Sequence, residues 1–168
     1  RELTSEVVIV AIDDASLERL GKWPWPRARH AEMVDRLGKA GARAIGTGSW
    51  SVAAAHGFPD GEKLPLELAI AKLERIVRAV DLPVSIDLEA GYGARPEDVD
   101  RSVTSAVRAG AVGINLEDGM ADETGIYGID DQVARIRAAR AAADSLSVPL
   151  FINARTDFFL QARPEAHD

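Results

Sequence analysis

The chain has 168 residues, of which 46% are apolar and 28% charged, a balance expected of one soluble globular domain with a proper core. A formal charge of −7 and a pI near 5.0 argue against nucleic acid or an anionic membrane as partner, since both favour a basic face. With no cysteine, disulfides, thiolate catalysis and cysteine-type zinc sites are excluded.

No apolar run approaches the roughly 20 residues that span a bilayer. The opening Arg1-Glu2-Leu3-Thr4-Ser5 does not read as a signal peptide, so a cytoplasmic enzyme-like domain is expected. The first element, 7–12, is continuously apolar and β-branched, as a strand buried on both faces is. A short helical stretch to Leu20 and a loop over 21–26 with Trp23 and Trp25 follow. A helix over 27–40 is then capped by Gly41, and a strand occupies 43–46. A helix over 65–80 repeats apolar residues at the 3.6-residue period (Leu66, Ile70, Leu73, Ile76, Val77, Val80), with Pro65 suited to its first turn. Strand 84–88, helix 96–109, strand 112–116, helix 130–145 and strand 149–154 continue the alternation. The run Lys39-Ala40-Gly41-Ala42-Arg43-Ala44-Ile45-Gly46 is echoed by Arg108-Ala109-Gly110-Ala111-Val112-Gly113-Ile114-Asn115, each a helix end, a glycine cap and a new strand. The fold class is therefore α/β, with five parallel strands in βα repeats.

In such repeats the C-terminal strand ends gather on one face, where sites are built. Here those ends are Thr47-Gly48-Ser49, Asp87-Leu88-Glu89, Glu117-Asp118 and Asn153-Ala154-Arg155-Thr156-Asp157. Asp87 and Glu89, two apart on a strand, leave on the same side and can converge on one ion, with Glu117 facing them. Oxygen ligands of this kind suit Mg²⁺, though acidic strand ends also serve simply to solvate loops or cap helices. Asp60 is either an outer ligand or a turn aspartate, and spacing alone favours the turn. Arg155 either grips a carboxylate or phosphonate with its planar fork or pairs with Asp157. Gly48-Ser49-Trp50-Ser51 offers small residues and backbone N–H groups as an anion cradle. Gly91-Tyr92-Gly93 reads as a turn that lets a loop close over ligand. His30, His56 and His167 lack metal-ligand spacing.

From about residue 44 to 161 these same motifs resemble the isocitrate lyase/phosphoenolpyruvate mutase superfamily. They are Gly46-Thr47-Gly48-Ser49-Trp50, Gly57-Phe58-Pro59-Asp60-Gly61-Glu62, Asp87-Leu88-Glu89-Ala90-Gly91-Tyr92-Gly93, Gly113-Ile114-Asn115-Leu116-Glu117-Asp118 and Asn153-Ala154-Arg155-Thr156-Asp157. The resemblance implies an Mg²⁺ site formed by Asp60, Asp87, Glu89 and Glu117, and a small anionic substrate held by Gly48, Ser49 and Trp50. Arg155 would bind the reacting anion, and Arg155 and Glu117 would be the catalytic pair. It implies C–C or P–C bond chemistry next to a 2-oxo acid, through an enolate. The lyase branch carries a loop with a catalytic cysteine, whereas Gly119 to Gly128 contains no cysteine, lysine or histidine. A mutase, hydrolase or decarboxylase-like member fits better than an isocitrate or methylisocitrate lyase.

Residues 7–46 resemble instead the opening of CHASE2, an extracytoplasmic sensor domain, and the two patterns merge over 40–46. The expectation is a chimera, natural or designed: a CHASE2-like βαβ segment over 1–46 and a phosphoenolpyruvate mutase-like part over 47–168. An eight-stranded βα barrel takes about 250 residues. The expected form is thus a partial TIM barrel or an open doubly wound sheet, lacking the last three βα units, with impaired activity and homodimerisation through open sheet edges. The alternatives are a catalytically inactive scaffold and a CHASE2-type sensor module.

Overall fold

The computed structural model describes residues 41–121 and 125–161, together with 32, 33, 35, 36, 38 and 39. The chain divides into two compact units, Arg1–Ala42 and Arg43–Asp168. In the first, the six described residues between 32 and 39 are helical, as the sequence predicts, and Arg36 pairs with Glu32 one turn away at 2.6 Å. The predicted strand 7–12 and the tryptophan loop lie outside the described residues.

The second unit holds a four-stranded parallel sheet in sequential order: β1 (Ile45–Gly46), β2 (Val84–Asp87), β3 (Gly113–Glu117) and β4 (Phe151–Arg155). These correspond to the second to fifth predicted strands, so four of the five are described. Between and after them lie α1 (Ser49–Ala54), α2 (Leu66–Val77), α3 (Pro96–Arg108), α4 (Ile129–Ser145) and α5 (Phe158–Gln161). Pro65 occupies the N-cap of α2 rather than its first turn, and Pro96 opens α3, where a missing N–H costs nothing. Asp98, at the third position of α3, accepts the Arg95 N–H at 3.2 Å and so satisfies a donor the helix leaves free.

Alternation along each strand sorts the sheet into two unlike faces. Val84, Ile86, Leu88, Ile114 and Leu116 point to one side. There they form a single buried cluster with Leu73 of α2, Val99, Val103 and Ala106 of α3, and Ala139, Ala142 and Ala143 of α4. The small alanines of α3 and α4 let the two helices pack closely. On the other side the register lines up Asp87, Asn115 and Asn153, then Glu117 and Arg155. Among the described residues, the helices of this cluster pack on one face and the strand order runs β1-β2-β3-β4 without reversal.

Candidate functional site

Each strand end delivers its polar residues to the same rim, but most of them are already engaged. At β1, the Thr47 hydroxyl oxygen accepts the Asp87 N–H at 3.1 Å, and the Ser49 N–H donates to Asp87 Oδ2 at 3.3 Å. Asp87 Oδ1 accepts from the Glu89 N–H and from Asn115 Nδ2, both at 3.0 Å. Asn115 Oδ1 in turn accepts from Asn153 Nδ2 at 2.7 Å, so a row of amides crosses three strands and ends on the Asp87 carboxylate.

Glu89 takes a left-handed conformation, φ 51°, that turns its side chain back toward the loop after α1. Its Oε2 accepts the N–H groups of Gly61 and Glu62 at 2.8 and 2.7 Å, while Glu62 Oε1 accepts the Tyr92 N–H. The 60–62 turn and the 89–92 loop therefore brace each other through two carboxylates. Gly91-Tyr92-Gly93, expected to be a turn that closes over ligand, is held here: Gly91 O accepts the Ser102 hydroxyl at 2.7 Å and Gly93 O accepts Arg135 Nη1 at 2.7 Å. Burial pushes Glu89 and Glu62 above the usual carboxylate range, against the pull of the backbone N–H groups they accept.

Arg155 ends β4, one residue beyond the predicted strand. It forms an ion pair with Glu117 and a two-pronged one with Asp157, at 2.8 Å from Nε and 3.2 Å from Nη2. The pair with Asp157 that the sequence allowed is therefore present, shared with Glu117. Burial would lower the Arg155 pKa, but Asp157 and Glu117 hold it above its ordinary value. Burial, with Asp157 and Asp87 nearby, pushes Glu117 up to about 8 despite the attraction of Arg155.

Asp118, a residue without an assigned role in the sequence, fixes this corner. Its carboxylate accepts the Thr156 hydroxyl at 2.6 Å and the buried Asp157 N–H at 2.7 Å, and its own N–H donates to Arg155 O at 3.2 Å. Its carbonyl accepts the Tyr127 N–H at 2.8 Å, which ties in the loop carrying the Gly119–Ile126 bridge.

Ser49, Asp60, Glu89, Glu117, Arg155 and Asp157 all line one rim cavity of about 210 Å³. Asp87 lines a smaller adjoining space with Ser49 and Glu89. Asp60 is exposed in its turn, and Trp50, 63% exposed, stands largely in solvent at the side of the cradle. His56 bonds through Nδ1 to Val52 O at 2.9 Å within its own helical turn. Among the described residues, no three His, Asp or Glu side chains stand close enough together to form a ready metal site. The donor set nevertheless fits a hard divalent cation. The lining includes five carboxylates, those of Asp60, Glu62, Glu89, Glu117 and Asp157, against the one guanidinium of Arg155. Two of those carboxylates are also raised in part by their acidic neighbours.

Parallel strands in chain order, with helices packed against the sheet, place the chain among α/β proteins built of βα repeats. The chain belongs to the phosphoenolpyruvate phosphomutase family, whose sequence model matches residues 28–168. It is 34% identical to 2-methylisocitrate lyase of Escherichia coli K12 over 139 residues, covering 77% of this chain and 45% of the lyase. A phosphonomutase-like structure from Burkholderia cenocepacia J2315 is 53% identical, with a TM-score of 0.75 over 82% of this chain and 54% of that one. Oxaloacetate acetylhydrolase solved with its product oxalate is 26% identical, with a TM-score of 0.67 over 78% of this chain and 47% of the hydrolase. The chain spans about half the length of the relatives it matches.

Proposed function

We propose that the rim cavity binds a small 2-oxo acid or phosphonate together with Mg²⁺, and that the chain contributes to bond-making or bond-breaking next to the oxo group. The observation that carries this is the charge imbalance of the cavity: five carboxylates against one arginine. Asp87, Glu89, Asp60 and Glu117 would hold the ion, which when bound supplies Lewis-acid stabilisation of negative charge on an enolate oxygen.

The chain's own residues supply the rest. Asp87, whose carboxylate accepts from the Ser49 and Glu89 N–H groups and from Asn115, is held in place at the strand end and would exchange some of these bonds for the cation. The Ser49 segment, with Gly48 and Trp50, borders the space for a substrate carboxylate. A substrate anion entering the cavity competes with Glu117 and Asp157 for the Arg155 fork. Glu117, raised to about 8 by burial, would have to release its proton to take up the cation, so cation binding should weaken as pH falls below that value. The 119–128 loop contains no cysteine, lysine or histidine, which supports a mutase, hydrolase or decarboxylase-like reaction over isocitrate cleavage. The unreversed strand order among the described residues supports a barrel segment over an open doubly wound form.

The CHASE2-like reading of 7–46 shares residues 28–46 with the family match. That match runs through the 40–46 stretch where the two resemblances meet, so it lends no support to a junction there. The site proposal does not depend on it.

Calorimetric titration with oxalate, a planar mimic of an enolate, tests the reading. Binding that requires Mg²⁺ and falls by roughly 100-fold or more in Asp87→Ala is expected, since a direct ligand exceeds the loss from an outer partner. Absence of Mg²⁺-dependent oxalate binding in the unmodified chain would leave the inactive-scaffold alternative.

A further inference from the structure

Arg135 heads the fully buried side chains, at 0% exposure, and the chemistry proposed for the rim does not use it. The helical period of α4 places it in the buried stripe with Gln132, Ala139, Ala142 and Ala143, where an apolar side chain would be ordinary. Its charge meets carbonyl oxygens. Nη1 donates to Gly93 O and Ala94 O, both at 2.7 Å, Nη2 donates to Ala90 O, and Nε donates to Gln132 Oε1 at 3.0 Å. The Tyr127 ring lies 4.0 Å from its guanidinium carbon.

Burying a guanidinium is costly, and shape-matched apolar residues often serve stability as well or better. What an apolar residue lacks is a planar fan of donors that reaches several carbonyls at once. Those carbonyls belong to the loop that follows Asp87 and Glu89. The partner on Nε reaches the other acidic strand end, because Gln132 Nε2 donates to Glu117 O at 3.1 Å. Tyr127 belongs to the loop that leaves Glu117. One side chain thus joins the acid-bearing ends of β2 and β3 from behind the rim.

We infer that Arg135 is a positioning residue: through the 90–94 carbonyls and Gln132 it sets the spacing between the Asp87/Glu89 and Glu117 strand ends. This rests on the Mg²⁺ and oxo-acid reading for its purpose, though the coupling of the two loops is measurable without it. The informative variant is Arg135→Lys, which keeps the charge and loses the fan.

The test uses the full chain, with amide hydrogen exchange and calorimetry of oxalate in the presence of Mg²⁺ for the unmodified chain, Arg135→Lys and Gln132→Leu. In Arg135→Lys, exchange over 89–94 and 117–121 should speed up by roughly tenfold or more while the core of α3 over 103–107 keeps its protection. The oxalate Kd should rise by roughly 10–100-fold, as for other residues that orient ligands. Gln132→Leu should shift both in the same direction by less, and it decides the matter if Arg135→Lys does not fold. Unchanged loop exchange and oxalate affinity would overturn the inference, as would equal acceleration of loops and core, which would make Arg135 a general stabilising element. If the unmodified chain binds no oxalate with Mg²⁺ but the loops alone loosen in Arg135→Lys, the binding reading fails and the coupling stands. If both proteins bind oxalate equally, the binding reading stands and the positioning role fails.

Discussion

Glu117 carries a direct pH signature. Its carboxyl is raised from an ordinary value of 4.5 to about 8, first by burial. Between those two values the unfolded chain has released a proton that the folded chain keeps, so this group lowers stability as pH rises through that window, with no further loss above it. Glu62 and Glu89, also raised by burial, act in the same direction. The thermal midpoint without Mg²⁺ is predicted to fall between pH 5 and pH 8, and Glu117→Gln to flatten that slope; a midpoint that climbs across the range would contradict the assignment. Asp118 offers a second test. Its carboxylate accepts from the Thr156 hydroxyl and the buried Asp157 N–H. Asp118→Ala leaves both donors without that partner and should cost about 1–3 kcal/mol in urea unfolding. A loss below about 0.5 kcal/mol, the range of an inert surface change, would count against it.

The loop after β2 turns on Gly91. Its φ is +94°, and an added Cβ would lie 2.9 Å from Val99 Cγ2 and 3.0 Å from Leu116 Cδ1. Gly91→Ala should therefore cost about 2–4 kcal/mol, from left-handed strain together with overpacking. Gly57→Ala, at φ +79° with no neighbour within 4 Å, should cost only about 1–2 kcal/mol. Equal losses in chemical denaturation would mean that packing around Gly91 does not matter. Elements of this kind were largely legible in the chain. The apolar period of α2 and the β-branched alternation of β2 come from local chemistry, and the glycine cap echoed at Gly41 and Gly110 appears as positive φ, +93° and +97°. The loop bracing was not legible. Glu89 turns to the Gly61 and Glu62 N–H groups only because β1 and β2 pair, and nothing within Asp87-Leu88-Glu89 encodes that. Arg135 did leave a trace, as a charge in the helical stripe that also holds Gln132, Ala139, Ala142 and Ala143. The short α5 lay outside what periodicity detects.

In the molecule as a whole, the polar sheet face is the informative surface. Phe151, 67% exposed, stands on it beside Gly113 and Ser85, and among the described residues β4 pairs only with β3. An open strand with an exposed aromatic favours pairing with another chain. Light scattering is predicted to show a homodimer that Phe151→Lys weakens; a monomer at high concentration would contradict this. Among the described residues no helix is long and apolar enough to cross a membrane, and every buried side-chain nitrogen and oxygen has a hydrogen-bond partner. Most of the rim's acidic groups are engaged with loop N–H groups and with Arg155. Ligand binding must exchange some of these bonds for bonds to the cation and the oxo acid. The most direct test is anomalous diffraction from crystals of the full chain grown with Mn²⁺, a Mg²⁺ substitute, and oxalate. The account predicts one strong peak in the cavity bordered by Asp60, Glu89, Glu117 and Arg155, with oxalate beside it. A cavity without metal under those conditions, or a peak confined to other surfaces, would contradict it.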